Sequence, residues 1–182
     1  MENVISFQFV HLRKEFPILH ELAVYWTNLN SGEIPRRSDI DPRQLEQVLP
    51  YLFILDRNGV NNATVRLGST HLETLAGAPT KGMPFSELID PSSHDLITRG
   101  FEKLWLNKTP QSFDIKSSFT DDRDTVAGKA IVFPLRDVFG RVTKAIGALQ
   151  VMGRIKYPPY TFDIRRAAQD IDLEALSKMY KG

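Results

Sequence analysis

The clearest pattern of hydrophobic and polar positions lies in the middle of the chain. Phe113, Ile115 and Phe119 alternate with polar residues, so they share one face of a half-buried strand. Two further extended runs follow at 125–135 and 142–152, each after a short polar turn. Three consecutive strands joined by short turns predict an antiparallel meander.

Helical spacing precedes the meander. Pro17 suits a first helical position, and apolar residues then recur three and four positions apart as far as Leu29. Thr70 and Glu73 form a capping box that predicts a short second helix. Asp90 begins a longer helix that ends just before the meander. These helices can cover the apolar face of a sheet.

Two shorter strands are predicted before the second helix. Apolar runs at 51–55 and 65–67 flank the turn dipeptide Asn58-Gly59. The expected fold is therefore α+β, with a five-stranded antiparallel sheet and short helices on one face.

The same patterns divide the chain into three segments. Residues 1–49 form an N-terminal helical extension, with a weak strand signal at Ile5, Phe7 and Phe9, and residues 50–153 form the domain. Residues 154–182 form a C-terminal tail, in which a last helix is predicted from Phe162 with an apolar side made of Leu173, Leu176, Met179 and Tyr180.

Composition narrows the function classes. The 182 residues are 42% hydrophobic and 25% charged, which is sufficient for one buried core with extensions. The net charge of +1 gives no global attraction for polyanions, so we expect neither nucleic acid nor a membrane as partner. The chain shows neither a signal peptide nor a membrane span, which predicts a cytoplasmic protein.

The order of elements resembles the PAS domain, in which two strands, a helical middle and three strands follow one another. The N-terminal half adds a spaced set of residues that is similar to a family of small bacterial stand-alone PAS-like proteins with a helical N-terminal extension. These residues are Trp26, Ile34-Pro35-Arg36-Arg37, Asp39-Ile40-Asp41-Pro42, Leu49-Pro50 and Arg66-Leu67-Gly68-Ser69. The resemblance implies a sensory and interaction module that binds a small molecule between sheet and helices and dimerises through flanking helices.

A ligand pocket is expected between the sheet and the helices that cover it. The alternative is that the same side chains fill this space completely, because protein interiors are close-packed. The candidate lining residues are Val65, Leu67, Leu72, Ile97, Phe101, Leu104, Phe113, Ile115, Ile131, Phe133 and Leu149.

A partner surface is expected in the N-terminal extension, where we also place a homodimer contact. Its candidates are the apolar stripe of the first helix and an arginine pair that could contact an anion or a partner. The alternatives are that the stripe covers the outer face of the sheet and that local ion pairs hold the arginine loop. The candidates are Leu19, Leu22, Trp26, Leu29, Arg36 and Arg37.

Cofactor chemistry is limited by the residues available. The absence of cysteine excludes disulfides, thiolate metal sites, thiol catalysis and a covalent cysteinyl-flavin. Haem needs an axial ligand, and His71 and His94 lie in first helical turns that suit exposed polar residues better, so we expect no haem. Non-covalent flavin stays open. We also expect no metal, since the acidic run 121–124 is typical of a turn and lacks a calcium-loop spacing.

The leading hypothesis is a non-enzymatic sensory, signalling or adaptor domain that binds an unidentified small molecule, a signalling protein, or both. No nucleophile motif, phosphate loop or metalloprotease motif is present. One alternative is a small α+β roll enzyme, an isomerase or hydrolase, which would need a buried acid or base with a shifted pKa. The other is a protein-interaction scaffold with a filled core.

Overall fold

The structure is a computed structural model that describes residues 12–29, 33–118, 125–166 and 169–171. In these ranges the strands form a single antiparallel sheet in the order β2-β1-β5-β4-β3-β6, and β7 also pairs with β3. The strands are β1 (Leu52–Arg57), β2 (Ala63–Gly68), β3 (Gln111–Ser117), β4 (Ala127–Arg136), β5 (Val142–Met152), β6 (Phe162–Ile164) and β7 (Gln169–Asp170).

Three α-helices accompany the sheet in the described part of the chain: α1 (Pro17–Leu29), α2 (Thr70–Ala76) and α3 (His94–Leu106). Residues 12–15 are also helical. The predicted meander, the hairpin and the three helices before the meander are confirmed. The cap of α2 is Ser69, whose hydroxyl accepts from the Leu72 N–H, and Asp90 caps the 3-10 helix that precedes α3. Short 3-10 helices complete the connections, at Arg37–Asp39, Pro42–Leu45, Leu49–Tyr51, Phe85–Leu88 and Pro91–Ser93. None of the helices in the described ranges has the length and apolar character needed to cross a membrane.

The sheet has two covered faces, and each face has its own core. We call the face under α2 and α3 the inner face, where Phe53 and Phe113 are buried. We call the face under α1 the outer face, where Ile54 and Ile146 are buried together with Trp26 of α1. Because both faces of the central strands are covered, these strands carry apolar residues on both sides.

The register of β3, β4 and β5 decides which residues face each core. Phe113 pairs with Ala130 and Gln111 pairs with Val132, and directly opposed residues share a face. The intervening Ile131 of β4 therefore points to the outer face.

One close approach fixes the centre of the sheet. Gly147 of β5 pairs with Phe53 of β1, and the Phe53 ring lies over it. A Cβ atom at position 147 would lie 2.4 Å from that ring and 2.7 Å from the Ile131 carbonyl oxygen. Position 147 therefore requires glycine, because any side chain would collide with the Phe53 ring and the Ile131 carbonyl oxygen.

The C-terminal segment differs from the expectation. Phe162–Ile164 and Gln169–Asp170 add two short strands to the expected five, and both pair with β3. A helix from Phe162 is therefore wrong. Several further predictions fall on residues outside the described ranges: the strand at Ile5, Phe7 and Phe9, the position of Phe119, the acidic run 121–124, and the apolar side formed by Leu173, Leu176, Met179 and Tyr180. The division of the chain at residues 49 and 153 stays a prediction.

Candidate functional site

The layer between the inner face and helices α2 and α3 is the candidate ligand site. Eight of the expected lining residues are buried in it. They are Val65, Leu72, Ile97, Phe101, Leu104, Phe113, Ile115 and Leu149. The inner layer is therefore assembled largely from the residues that the hydrophobic pattern indicated.

Three of the expected lining residues lie elsewhere. Ile131 and Phe133 are completely buried, but in the outer core beneath α1. Leu67 is 47% exposed on the edge strand β2. The pairing of β1 with β2 slips between Ile54 and Leu55, so Arg66 is an extra residue and Leu67 no longer shares the face of Val65.

Aromatic rings run through the inner layer in contact with one another. The ring centroids of Phe53 and Phe85 are 5.1 Å apart, and those of Phe85 and Phe101 are 5.8 Å apart. Phe101 stacks on Trp105 at 6.1 Å, one turn further along α3. This chain of rings gives the layer a largely apolar lining with Trp105 at one end.

Trp105 carries a buried polar atom that the sequence analysis missed. The side chain is 2% exposed, and its indole Nε1 has no hydrogen-bond partner among the described residues. Buried indole N–H groups usually have a partner, because an unsatisfied donor away from water costs free energy. Trp105 therefore carries a hydrogen-bond donor that is unused by the described residues.

Gln111 supplies an unused acceptor near the same connection, six positions after Trp105. It is completely buried, and its Nε2 donates to the carbonyl oxygens of Thr109 and Pro110 at 3.1 and 3.0 Å and to Asp170 Oδ1 at 3.0 Å. Its Oε1 has no partner among the described residues. Gln111 stands in the same alternating set as Phe113 and Ile115, so a polar residue at an inward position was the signal available in the sequence.

The two histidines considered as haem ligands lie at the edges of the helical layer. His71 packs against Tyr51 with ring centroids 4.8 Å apart, and its buried Nε2 has no partner among the described residues. Burial lowers the pKa of His71. His94 Nε2 lies 3.2 Å from the Ser86 carbonyl oxygen and 3.0 Å from that of Ile89, so its proton is placed on Nε2. The expectations of no haem and no covalent flavin stay predictions.

The apolar stripe of α1 is not exposed. Leu19, Leu22 and Trp26 are completely buried, and Leu29 is half-buried against the same core. Trp26 stacks on Phe133 at 5.1 Å between ring centroids. The stripe therefore covers the outer face of the sheet, which was the alternative to a partner surface, and these residues are unavailable for docking.

The arginine pair lies beside the β4–β5 hairpin. Arg36 is exposed and Arg37 is half-buried. The Arg36 N–H donates to Asp39 Oδ2 at 2.8 Å, which holds the loop locally. Neither guanidinium forms an ion pair with a described residue, so a role of this pair in partner contact stays a prediction.

A model of the PAS domain family matches residues 15–150. The chain belongs to the PAS domain family. PAS domains are sensory modules and are generally not enzymes, so the family places this chain in signalling. The matched range includes α1, so the helix on the outer face is part of what the family model describes.

Solved structures similar to this PAS domain include photoreceptor and sensor domains. The dark structure of the blue-light photoreceptor aureochrome1 LOV is 19% identical, with a TM-score of 0.44 over 60% of this chain and 80% of that one. A sensory box sensor histidine kinase from Vibrio cholerae is 13% identical, with a TM-score of 0.42 over 62% and 88%. The PAS domain of a protein from Colwellia psychrerythraea is 16% identical, with a TM-score of 0.45 over 60% and 95%. No curated protein matches the chain significantly.

An open groove of about 600 Å³ also runs beside α1 of the PAS domain. It presents charges of both signs, so it favours neither an anion nor a cation. Its lining residues are Arg13, Pro17, His20, Glu21, Val24, Tyr25 and Gln44. In the described ranges, no group of three or more His, Asp or Glu side chains is placed to hold a metal ion.

Proposed function

We propose that this PAS domain is a non-enzymatic sensor that holds a small, largely apolar ligand in the inner layer. The observation that carries the proposal is the buried indole Nε1 of Trp105, which has no partner among the described residues. An unsatisfied buried donor costs about 1–3 kcal/mol, so a ligand acceptor placed there would recover a large share of that free energy.

The chemistry of the layer supports one class of ligand. The chain of aromatic rings from Phe53 to Trp105 favours an apolar or aromatic body. Trp105 Nε1 calls for an acceptor on the ligand, and Gln111 Oε1 accepts from a donor on it. A small apolar molecule that carries one carbonyl or ether oxygen and one hydroxyl or amine group meets these requirements.

The ligand would act on the rest of the domain through Gln111. The same side chain that offers Oε1 to the inner layer donates to Asp170 of β7. A ligand that binds Gln111 in only one arrangement of this strand would shift the balance between paired and released β7. We therefore expect ligand binding to be signalled through a change in the C-terminal segment.

A scaffold with a filled core is the second candidate, and the continuity of the aromatic chain favours it. Ring contacts of 5.1–6.1 Å show that much of the layer is already occupied. The enzymatic alternative would rest on His71, whose Nε2 is buried and whose pKa is lowered by burial, but its ring packs against Tyr51, which belongs to the outer core. The fully buried polar side chains of the described residues are Ser69, Thr80, Ser93, Gln111 and Ser117, none of which is a carboxylate or an imidazole.

Native and denaturing mass spectrometry of the full chain, freshly purified, tests the proposal. We expect extra mass in the native spectrum that is lost on denaturation, and lower ligand occupancy in Trp105→Phe and Gln111→Leu. Gln150→Leu is the matched control, because Gln150 also has a buried unpartnered Oε1 but follows the inward Leu149 on β5 and points to the outer face. The absence of extra mass would favour the scaffold, and full occupancy in Trp105→Phe would place the ligand outside the inner layer.

A further inference from the structure

The turn between β4 and β5 presents two adjacent apolar side chains to solvent. Val138 is 82% exposed and Phe139 is 78% exposed, the highest values for large hydrophobic side chains in the described part of the chain. Single exposed apolar residues are ordinary, whereas adjacent ones form a patch, and exposed apolar patches mark interaction sites.

The turn is held in one shape by Asp137. Its Oδ1 accepts from the backbone N–H groups of Phe139 and Arg141 at 2.9 and 3.0 Å, and its Oδ2 accepts from Thr143 Oγ1 at 3.0 Å. The Arg141 guanidinium carbon lies 5.2 Å from the centre of the Phe139 ring. Because these contacts order the tip before binding, docking would lose little conformational entropy.

Two adjacent arginines, Arg36 and Arg37, flank the base of the same hairpin. Arg36 forms a parallel bridge with Arg136, whose N–H donates to the Pro35 carbonyl oxygen at 2.9 Å. The Arg136 guanidinium is paired with Glu33 at 2.8 Å. Arg36 and Arg37 have no such partner in the described residues, so their guanidinium groups are free to bind carboxylates.

We propose that the β4–β5 turn and the Arg36–Arg37 loop together form a docking surface for a protein partner. The partner has an apolar pocket that takes Phe139 and acidic side chains that meet Arg36 and Arg37. An aromatic anchor in a pocket supplies most of the binding free energy, and complementary charges beside it fix orientation and raise the association rate. This surface does not depend on whether the inner layer binds a ligand.

Two other occupants fit the surface less well. A second copy would have to place carboxylates against Arg36 and Arg37, but those of the same loop, Glu33 and Asp39, already accept from Arg136 and from the Arg36 N–H. An anionic membrane is typically recognised by clusters of about four to eight basic residues, and this surface has two unpaired arginines and two apolar side chains. Charge complementarity therefore favours an acidic protein partner.

Site-specific photocrosslinking in cells that naturally contain the protein identifies the occupant. A benzophenone amino acid replaces Phe139 in the full chain, and the adduct is identified by mass spectrometry. The captured protein is then purified, and its affinity for the unmodified chain and for surface variants is measured by calorimetry at two salt concentrations.

We expect Phe139→Ser to weaken binding by at least about tenfold and Arg36→Gln with Arg37→Gln by about five- to tenfold, more at low salt. Val60→Ser and Arg43→Gln are the controls, because Val60 is exposed at the β1–β2 turn and Arg43 is exposed and paired with Asp41. Both should change the affinity less than about twofold. The proposal is overturned by an adduct only with a second copy, by an adduct only with lipid, by no adduct, or by equal affinity of the Phe139→Ser variant.

Discussion

The indole Nε1 of Trp26 donates a hydrogen bond to the carbonyl oxygen of Pro134 at 3.1 Å, across 108 positions of the chain. Pro134 lies inside β4, where it has no N–H of its own to give to the ladder. The bond fixes α1 against the outer face, and Trp26 also stacks on Phe133 beneath it. The N-terminal helix is thus anchored to the sheet by a hydrogen bond and a ring contact.

The two tryptophans of the chain form a matched pair for a stability measurement. Trp26→Phe removes a bonded donor and leaves the Pro134 carbonyl oxygen without it, whereas Trp105→Phe removes a donor that has no partner among the described residues. We expect Trp26→Phe to lower the free energy of unfolding by about 1 kcal/mol more than Trp105→Phe. Urea unfolding followed by far-ultraviolet circular dichroism measures both, on protein refolded free of ligand. Equal losses would contradict the role assigned to the Trp26–Pro134 bond.

Gly147→Ala tests the close approach at the centre of the sheet. The added methyl group would collide with the Phe53 ring and the Ile131 carbonyl oxygen. We expect a loss of about 1–3 kcal/mol in the free energy of unfolding. The loss should be smaller in a Phe53→Leu background, where the ring is gone but the carbonyl oxygen stays. A double-mutant cycle by urea titration checks this, and strict additivity would show that the ring is not what excludes a side chain.

Acid should destabilise the domain partly through His71. Burial lowers the pKa of His71 below its ordinary value of 6.5. As the pH falls below 6.5, the unfolded chain binds a proton that the folded state does not, so the free energy of unfolding falls until the folded pKa is reached.

His71→Phe keeps a ring against Tyr51 and should make this fall shallower, as measured by urea midpoints across the pH series. His20 supplies the comparison, since burial and then the charge of Arg13 lower its pKa too. The part of the pH dependence that comes from His20 should persist in His71→Phe and disappear only in His20→Gln. An unchanged pH profile in His71→Phe would contradict the assignment.

Asp170→Asn should release β7 from β3. Burial raises the pKa of Asp170, but hydrogen bonds from Gln111 and Lys103 and the charge of Lys103 lower it by more. The carboxylate therefore stabilises the contact above its ordinary pKa of 3.8, and this contribution is lost as the pH falls through the lowered value.

Hydrogen exchange at neutral pH measures the effect of this substitution. The Ile171 N–H, which donates to the Pro110 carbonyl oxygen at 3.1 Å, should exchange faster in Asp170→Asn. Asp163→Asn, in the neighbouring strand β6, is the control and should leave Ile171 protected. Equal protection in wild type and Asp170→Asn would show that the side-chain contacts of Asp170 do not hold β7.

The parts of the fold that were predictable are those with local signals. The alternation of Phe113 and Ile115 with polar residues determined both the strand and its inward face, because β3 carries polar side chains on the other side. Pro17 is a second local signal. It marked the start of α1, because its fixed φ and missing N–H suit a first helical position.

The errors arose where the signal was not local. Ile131 and Phe133 stand in a continuous apolar run that is buried on both faces, so no polar residue showed the phase of the strand. Leu67 was misplaced because one extra residue in β2 reverses the alternation. The partner of an indole N–H depends on distant segments, so the contrast between Trp26 and Trp105 could be read only from the structure.

The most direct test of a ligand in the inner layer is a nuclear magnetic resonance spectrum of the protein labelled with ¹⁵N at the tryptophan indoles. The spectrum has two indole signals, and Trp105→Phe assigns them. The spectrum is recorded on protein as purified and again after unfolding, removal of small molecules and refolding. We predict that the Trp105 signal moves between the two samples, because its N–H loses a ligand acceptor, while the Trp26 signal stays in place. Two identical spectra would contradict a bound ligand at Trp105.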